Sequence, residues 1–432
     1  MKYIESKLCI KPWTHLVQHT SGLFSPCCKI EELLQFEGRN AETLDEAWRS
    51  ESLVNLRSEF LEGKKPSICH QCWREESAGL ASDRILTNDR ILRTKGEEYF
   101  QSITSSKKPT PISLDLKISN ICNLKCRICS VTYSSQILNE YANDLNIETE
   151  GMKVTYSKDR WSKNNNAIEV FKKWLPTIEY IEVYGGEPFL QKDLEEILST
   201  CIKEGRANKI SLRFHTNGMV DLRNWFVTLK EFENVEIHFS LDDIGPRLEY
   251  QRSGSKWAYI KKNFERVKYW ELQDPIKRKL GVFATYSIYN SMSIVELLNW
   301  ADSLNSEVFI STLQTPPYLN IQNFPDEFRK KVIEYLRTIS GHKALKFQEQ
   351  AEEIIRYVQH GNENSDLINE FCSYTGMLDR RRGEKFSEIF SILDDKSFED
   401  YRELFNDDSK DNEVSQTVFQ NVIDHHEGIK KL

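Results

Sequence analysis

From residue 112 onward the chain alternates between two kinds of pattern. Strand-like runs at 112–118, 179–184, 209–214, 234–240, 281–288 and 307–313 are separated by helical patterns near 134–145, 190–204, 222–232, 256–270, 292–304 and 325–338. Such alternation leaves little choice of fold. Parallel strands need a crossover between neighbours, and the crossover helices cover the sheet, so six βα units predict an α/β protein. The first strand runs into Cys122-Asn-Leu-Lys-Cys126-Arg-Ile-Cys129, a C-x3-C-x2-C pattern. Three thiolates at this spacing can hold three irons of a four-iron cluster and leave the fourth iron open, whereas clusters are normally held by four cysteines. Zinc is the competing reading, but zinc sites favour four ligands and paired C-x2-C spacing.

A second turn, Gly185-Gly186-Glu187-Pro188, follows the second strand. Glycines let the backbone approach a ligand closely, and Pro188 stiffens the turn. His215-Thr-Asn217-Gly218 ends the third strand, Ser240-Leu-Asp242 ends the fourth, and Gln251-Arg252-Ser-Gly254 follows. Together with the three cysteines, these residues resemble the radical S-adenosylmethionine (SAM) enzymes over roughly residues 110–320. The resemblance implies a partial (β/α)6, TIM-like barrel with its site at the carboxyl ends of the strands. It implies a [4Fe–4S] cluster on Cys122, Cys126 and Cys129, with SAM chelating the open iron through its amino and carboxylate groups. It also implies that Gly185, Gly186, Glu187 and Pro188 form the turn that binds the SAM amino group. Ser240 and Arg252 are implied partners of the SAM ribose and carboxylate, roles that suit a hydroxyl and a guanidinium fork. Asn217, and Ser287 or Asn290, are further candidates for the same pocket.

Residues 1–76 hold five cysteines. Cys9 is followed by Gly22 and Cys27, and Cys69 and Cys72 form a C-x2-C pair. Residues 13–19 and 23–28 alternate enough to pair as a hairpin around Ser21-Gly22. Leu44, Trp48, Leu53, Leu56 and Phe60 fall at helical spacing over 42–62. The arrangement C-x12-G-x4-C…C-x2-C resembles the twitch form of the SPASM auxiliary-cluster domain, here ahead of the barrel where that domain normally follows it. The resemblance implies a second iron–sulfur cluster, of the [4Fe–4S] type, on Cys9, Cys27, Cys69 and Cys72. Cys28 competes with Cys27 as the ligand, and a four-cysteine zinc site remains the other reading of this segment. Some radical SAM epimerases return a hydrogen atom from a lone cysteine, which makes Cys28 and Cys372 candidates; Cys201, on an apolar helix face, reads as core.

The chain therefore divides into an auxiliary-cluster domain at 1–76, a linker at 77–110, a barrel at 111–320 and a helical C-terminal region at 321–432. Residues 146–166 read as a polar insertion, longer than a crossover needs. Arg380, Arg381 and Arg382 follow Asp379 as a charge run on a helix, with an anionic substrate as the sharper alternative to a solvated face. His425-His426 is an unsupported metal pair. A net charge of −8 does not provide the basic footprint of a nucleic-acid binder, so no nucleic acid is expected. No run of 18 apolar residues suggests a membrane span, and residues 1–13 do not read as a signal peptide, so a cytoplasmic location is expected. The resemblance implies an external electron donor such as flavodoxin or ferredoxin. It also implies a peptide or protein substrate, with a small molecule such as a sugar as the alternative; the rival from another class is a non-catalytic zinc or iron–sulfur interaction module.

Overall fold

The computed structural model describes residues 7–20, 24–30, 44–77, 81–144, 165–341 and 345–407. Strands β1 (His15–Gln18) and β2 (Phe24–Ser25) come from the N-terminal segment. Strand β3 (Ser113–Lys117) opens the barrel, and the short β4 (Lys125–Cys126) lies in the cysteine loop. Strands β5 (Tyr180–Tyr184), β6 (Ser211–Thr216) and β7 (Asn234–Ser240) follow. The short β8 (Arg252–Ser253), then β9 (Arg278–Tyr286) and β10 (Glu307–Thr312), complete the set. All six expected strands are present and lie side by side in parallel, in the order β10-β9-β7-β6-β5-β3.

The sheet does not end at β3. Strand β1 adds to it in parallel, His15 opposite Ser113 and Val17 opposite Asp115, and β2 pairs antiparallel with β1. The expected hairpin is thus built into the barrel sheet; its turn residues lie outside the described set.

Period-two burial makes the barrel. In β6, Leu212, Phe214 and Thr216 are buried under the helices, while Ser211, Arg213 and His215 line the interior cavity. In β5, Ile181 and Val183 are buried while Tyr180, Glu182 and Tyr184 line the cavity. The covering helices bury one stripe each, Leu194, Ile197, Leu198 and Cys201 in Lys192–Lys203, and Ile260, Phe264, Val267 and Trp270 in Trp257–Leu272. Cys201 is core, as its spacing indicates.

Several elements depart from expectation for local reasons. The pattern at 222–232 yields only a 3-10 turn, Leu222–Asn224, and one helical turn, Phe226–Leu229; Asp221 caps the turn by accepting from Arg223 N. Strand β9 starts early because Arg278 and Lys279, poor strand formers, are paired by the neighbouring ladder of β7. The helix at 42–62 breaks in two, and Ser50 caps the second piece, Glu51–Leu61. A helix at Asn165–Trp174 was not anticipated, although Ile168, Phe171 and Trp174 show its period; residues 145–164 and the His425-His426 pair lie outside the described set.

The linker segment, whose pattern suits a connecting helix or two, holds the helix Asp83–Thr104, kinked at Gly96. Its Asn88 accepts from Ile10 N and donates to Leu8 O, and its Arg84 donates to the same carbonyl, which fixes the backbone on both sides of Cys9. Among the described residues no helix is long and apolar enough to cross a membrane.

Candidate active site

One cavity of about 1760 Å³ occupies the barrel. Cys122, Cys126 and Cys129 lie on its wall, as do Gly185, Gly186, Asn217, Ser240 and Arg252. The cysteine loop is held from below. Cys126 pairs with Arg252 through β4 and β8, Arg127 N donates to Gln251 O, and Ser134 Oγ donates to Leu124 O. Burial, then the neighbouring Cys126, pushes the Cys122 thiol up to about 12. Cys129 is pushed up by burial and then by Cys126 and Cys122. Cys126 is pushed up by burial, against the pull of Arg252, whose Nη1 lies 3.9 Å from Cys126 Sγ.

A family model described as the radical SAM superfamily matches residues 116–269, and one described as an iron–sulfur cluster-binding domain, SPASM, matches residues 9–73. The chain carries a radical SAM domain behind a SPASM domain. No curated protein matches the sequence. A solved structure titled native anSMEcpe with bound AdoMet and Cp18Cys peptide is 15% identical, with a TM-score of 0.37, over 52% of this chain and 58% of that one. Streptococcus suis SuiB is 15% identical, with a TM-score of 0.38, over 78% of this chain and 68% of that one. SuiB bound to its precursor peptide SuiA is 16% identical, with a TM-score of 0.37, over 72% and 61%.

The family's cofactors are a [4Fe–4S] cluster with SAM and, for the SPASM domain, an auxiliary iron–sulfur cluster. The donor set on the cavity wall fits the first. Three thiols converge there, each raised by burial and by the others or opposed by Arg252, a state that bound iron would reverse by stabilising thiolates.

The glycine turn packs on the loop that carries these thiols. A Cβ on Gly186 would lie 2.2 Å from Ile121 O, while Gly186 N donates to Ser119 O and Glu187 N to Ile121 O. Only glycine can pack so close, so Gly186 docks the turn against the backbone just before Cys122. Gly185 has φ +116°, and its missing Cβ leaves space beside Lys117 and Ser119. Glu187 and Pro188 are buried behind the wall. Glu187 accepts from Asn217 N, Thr216 Oγ1 and Phe189 N, tying the turn to the end of β6, and burial pushes its carboxyl up to about 7.

Asn217 lines the cavity, with its Nδ2 donating to Asn123 Oδ1 at 2.7 Å. Ser240 lines it at the end of β7. Arg252 donates through Nε to Asp242 at 2.9 Å; burial would lower its pKa, but Asp242 and then Cys126 hold it raised. Asp242 also accepts from Thr285 N, so it orients Arg252 from a fixed base. Ser287 and Asn290 stay off the wall: Asn290 donates to Asp242 O and accepts from Ser287 N.

In the SPASM segment, Cys9 and Cys72 are buried and Cys27 and Cys69 half-buried. Burial pushes Cys69 up, and Cys9 and Cys72 push it further; Cys27 is raised by burial, with Cys28 and Cys69 adding to it. Cys28 instead lies on the barrel cavity with its side chain exposed. Among the described residues, no three His, Cys, Asp or Glu side chains close on a single-ion site. Cys372 is in the core and off the cavity.

Asp379, Arg380 and Arg382 of the charge run on the C-terminal helix, Ser365–Arg382, are engaged internally. Arg382 pairs with Glu140 and donates to Lys125 O, and Arg380 donates to Phe405 O and Asp407 O. Asp379 accepts from Arg127, which sits between Cys126 and Cys129. Motif spacing did not point to this clamp, nor to the polar cavity face of Asp115, Lys117, Glu182, Arg213 and His215. The signal for that face was a charged or polar residue at every second position of three strands otherwise rich in Leu, Ile, Val and Phe.

Proposed function

We propose that this chain is a radical SAM enzyme that oxidatively modifies a peptide or protein with the help of its SPASM-domain cluster. When bound, the [4Fe–4S] cluster and SAM supply reductive cleavage of SAM and hydrogen abstraction from an unreactive carbon. The protein's part is to hold, orient and exclude water. Cys122, Cys126 and Cys129 bind three irons, and Gly186 seats the turn against their loop. Gly185, Asn217, Ser240 and Arg252 line the SAM pocket, with Asp242 aiming Arg252 and Glu187 tethering the turn to β6. Cys9, Cys27, Cys69 and Cys72 would hold the auxiliary cluster, which would supply an electron acceptor or relay, and an external reductant such as flavodoxin or ferredoxin is the expected partner.

The observation that carries the chemistry is the convergence of the three thiols, the glycine turn and Arg252 on one wall of one cavity. The peptide reading is supported by size. At about 1760 Å³ the cavity exceeds the roughly 300–1,000 Å³ of ordinary small-molecule pockets, leaving room for a chain beside SAM.

Metal analysis of anaerobically reconstituted protein tests the first part: about eight irons are expected, and about half that after Cys122, Cys126 and Cys129 become Ala. Cys69→Ala with Cys72→Ala should leave dithionite-driven SAM cleavage measurable while product formation from the substrate fails. Zinc in the N-terminal site would overturn the auxiliary-cluster assignment. Stimulation of 5′-deoxyadenosine release by sugars but not by a mixed peptide pool would overturn the peptide reading.

A further inference from the structure

Among the described residues most charged side chains on the cavity wall touch a side chain that can carry the opposite charge; Arg90, Glu370 and Lys117 are exceptions, and of these three Lys117 alone is buried. Asp115 meets His15 at 3.3 Å and accepts from Tyr184 at 3.0 Å; Glu182 meets His215 at 2.7 Å. Lys11 pairs with Asp83, Lys95 with Glu179, Arg213 with Glu236, and Arg252 with Asp242. Lys117 does not. It is 5% exposed, yet among the described residues no carboxylate lies within ion-pair distance of its ammonium. Among the described residues its Nζ reaches His19 Nδ1 at 3.4 Å and Tyr133 Oη at 3.2 Å, and it lies 5.2 and 5.1 Å from the ring centres of Tyr133 and Tyr184.

The ammonium nevertheless stays charged. Burial would lower the Lys117 pKa, but Tyr133, Cys28 and Asp115 outweigh burial and raise it. His19 is held neutral, lowered by burial and then by Lys117 itself. Asp115 supplies a counter-charge only from beyond ion-pair distance, and a buried cation with none in contact is costly unless something supplies one. An ammonium has three donors, and two are taken. Tyr133, which accepts from Lys117, keeps its own O–H to donate, and both residues line the cavity.

We propose that Lys117 and Tyr133 anchor a carboxylate of the substrate beside the glycine turn. The place follows from register: Lys117 ends β3 opposite Tyr184, the residue before Gly185, and its Cα lies 3.3 Å from where a Gly185 Cβ would be. Carbons a few bonds from the anchored carboxylate thus face the wall assigned to SAM. The donors suit a monoanion. One ammonium and one phenol provide neither a guanidinium fork nor a helix N-terminus for a phosphate. A dianion would also meet Asp115, ionised with its pKa drawn down to about 2 as His15 overcomes the effect of burial. A peptide presents the required group as an Asp or Glu side chain or as its C-terminus. The inference rests on the radical SAM reading for what lies beyond the turn.

Trifluoroacetate is the probe, titrated into anaerobic, cluster-loaded protein with SAM saturating, and read by fluorine NMR line width. Saturable broadening is expected in the wild type, weakened at least about tenfold by Lys117→Met, the loss of one charge-assisted contact. Lys117→Arg should restore it. Iron content and SAM affinity should match wild type in both variants, which separates this test from failure of the radical SAM reading. Should Lys117→Met not fold, Tyr133→Phe replaces it, with several-fold weakening expected. Equal broadening in wild type and variant, no saturable broadening in wild type, or displacement of the probe by SAM would each overturn the proposal; displacement would give Lys117 to the SAM pocket.

Discussion

Asp379 sets how firmly the loop bearing Cys122, Cys126 and Cys129 is held, and its removal makes a quantitative test. Arg127 is 1% exposed and sits between two of the three thiols. Its Nη2 donates to Asp379 at 2.5 Å and to Glu384 at 2.6 Å, and its guanidinium lies 3.8 Å over the Tyr250 ring. Asp379 also accepts from Tyr250 Oη at 2.7 Å and from Phe386 N at 2.6 Å. Asp379→Ala therefore strips one of two counter-ions from a buried cation and leaves two further donors unpaired. Removing one partner of a buried pair costs about 3–5 kcal/mol, and with Glu384 retained the low end, about 3 kcal/mol, applies. If this cost falls on local opening of the loop, opening becomes on the order of 10²-fold more populated. The assay is anaerobic release of iron to a ferrous chelator, followed as two phases, with a thermal melt alongside. The phase belonging to the cysteine-loop cluster, identified by its absence from the triple Cys→Ala variant, should accelerate about a hundredfold while the other stays near wild type. Iron release within about threefold of wild type in a folded variant would refute the clamp. Equal acceleration of both phases would show general destabilisation instead.

Two further outcomes follow from the glycine turn. Gly186→Val places a Cβ 2.2 Å from Ile121 O, so the turn must leave the cysteine loop; SAM affinity by equilibrium dialysis should fall at least about tenfold, and unchanged affinity would mean the turn is not part of the pocket. Glu187 holds its proton to about pH 7 in the fold, because of burial, against an ordinary value near 4.5. The folded state then binds more protons than the unfolded chain between those values. Its stabilising contribution is present below about 4.5 and lost as pH rises through about 7, amounting to about 3 kcal/mol. Denaturant melts from pH 5 to 8 should show wild type losing stability relative to Glu187→Gln, and parallel curves would contradict the shift.

What the sequence discloses depends on how far apart the cooperating residues lie. The strands and the cysteine loop were legible because period-two burial and C-x3-C-x2-C spacing are local. The glycine turn was legible as a motif, but Gly186 packs on Ile121, 65 residues back, and that contact has no signature in spacing. The SPASM segment shows the same limit. Its hairpin was readable from alternation, yet nothing in residues 13–28 says that β1 extends the barrel sheet and delivers His15 and His19 to the wall. Register does that work, because a parallel neighbour places His15 opposite Ser113 and brings every second residue of β1 to the side of Asp115 and Lys117. The C-terminal helix was opaque for a stronger reason. Arg127 and Asp379 are 252 residues apart, and a charge run looks the same whether it faces water or closes on a buried partner. Burial separates the two cases, and burial belongs to the assembled fold. The residues hardest to foresee are therefore those through which the SPASM segment and the C-terminal region act on the barrel. An isolated barrel of residues 111–320 would keep its three cysteines but lose His15, His19 and Asp379.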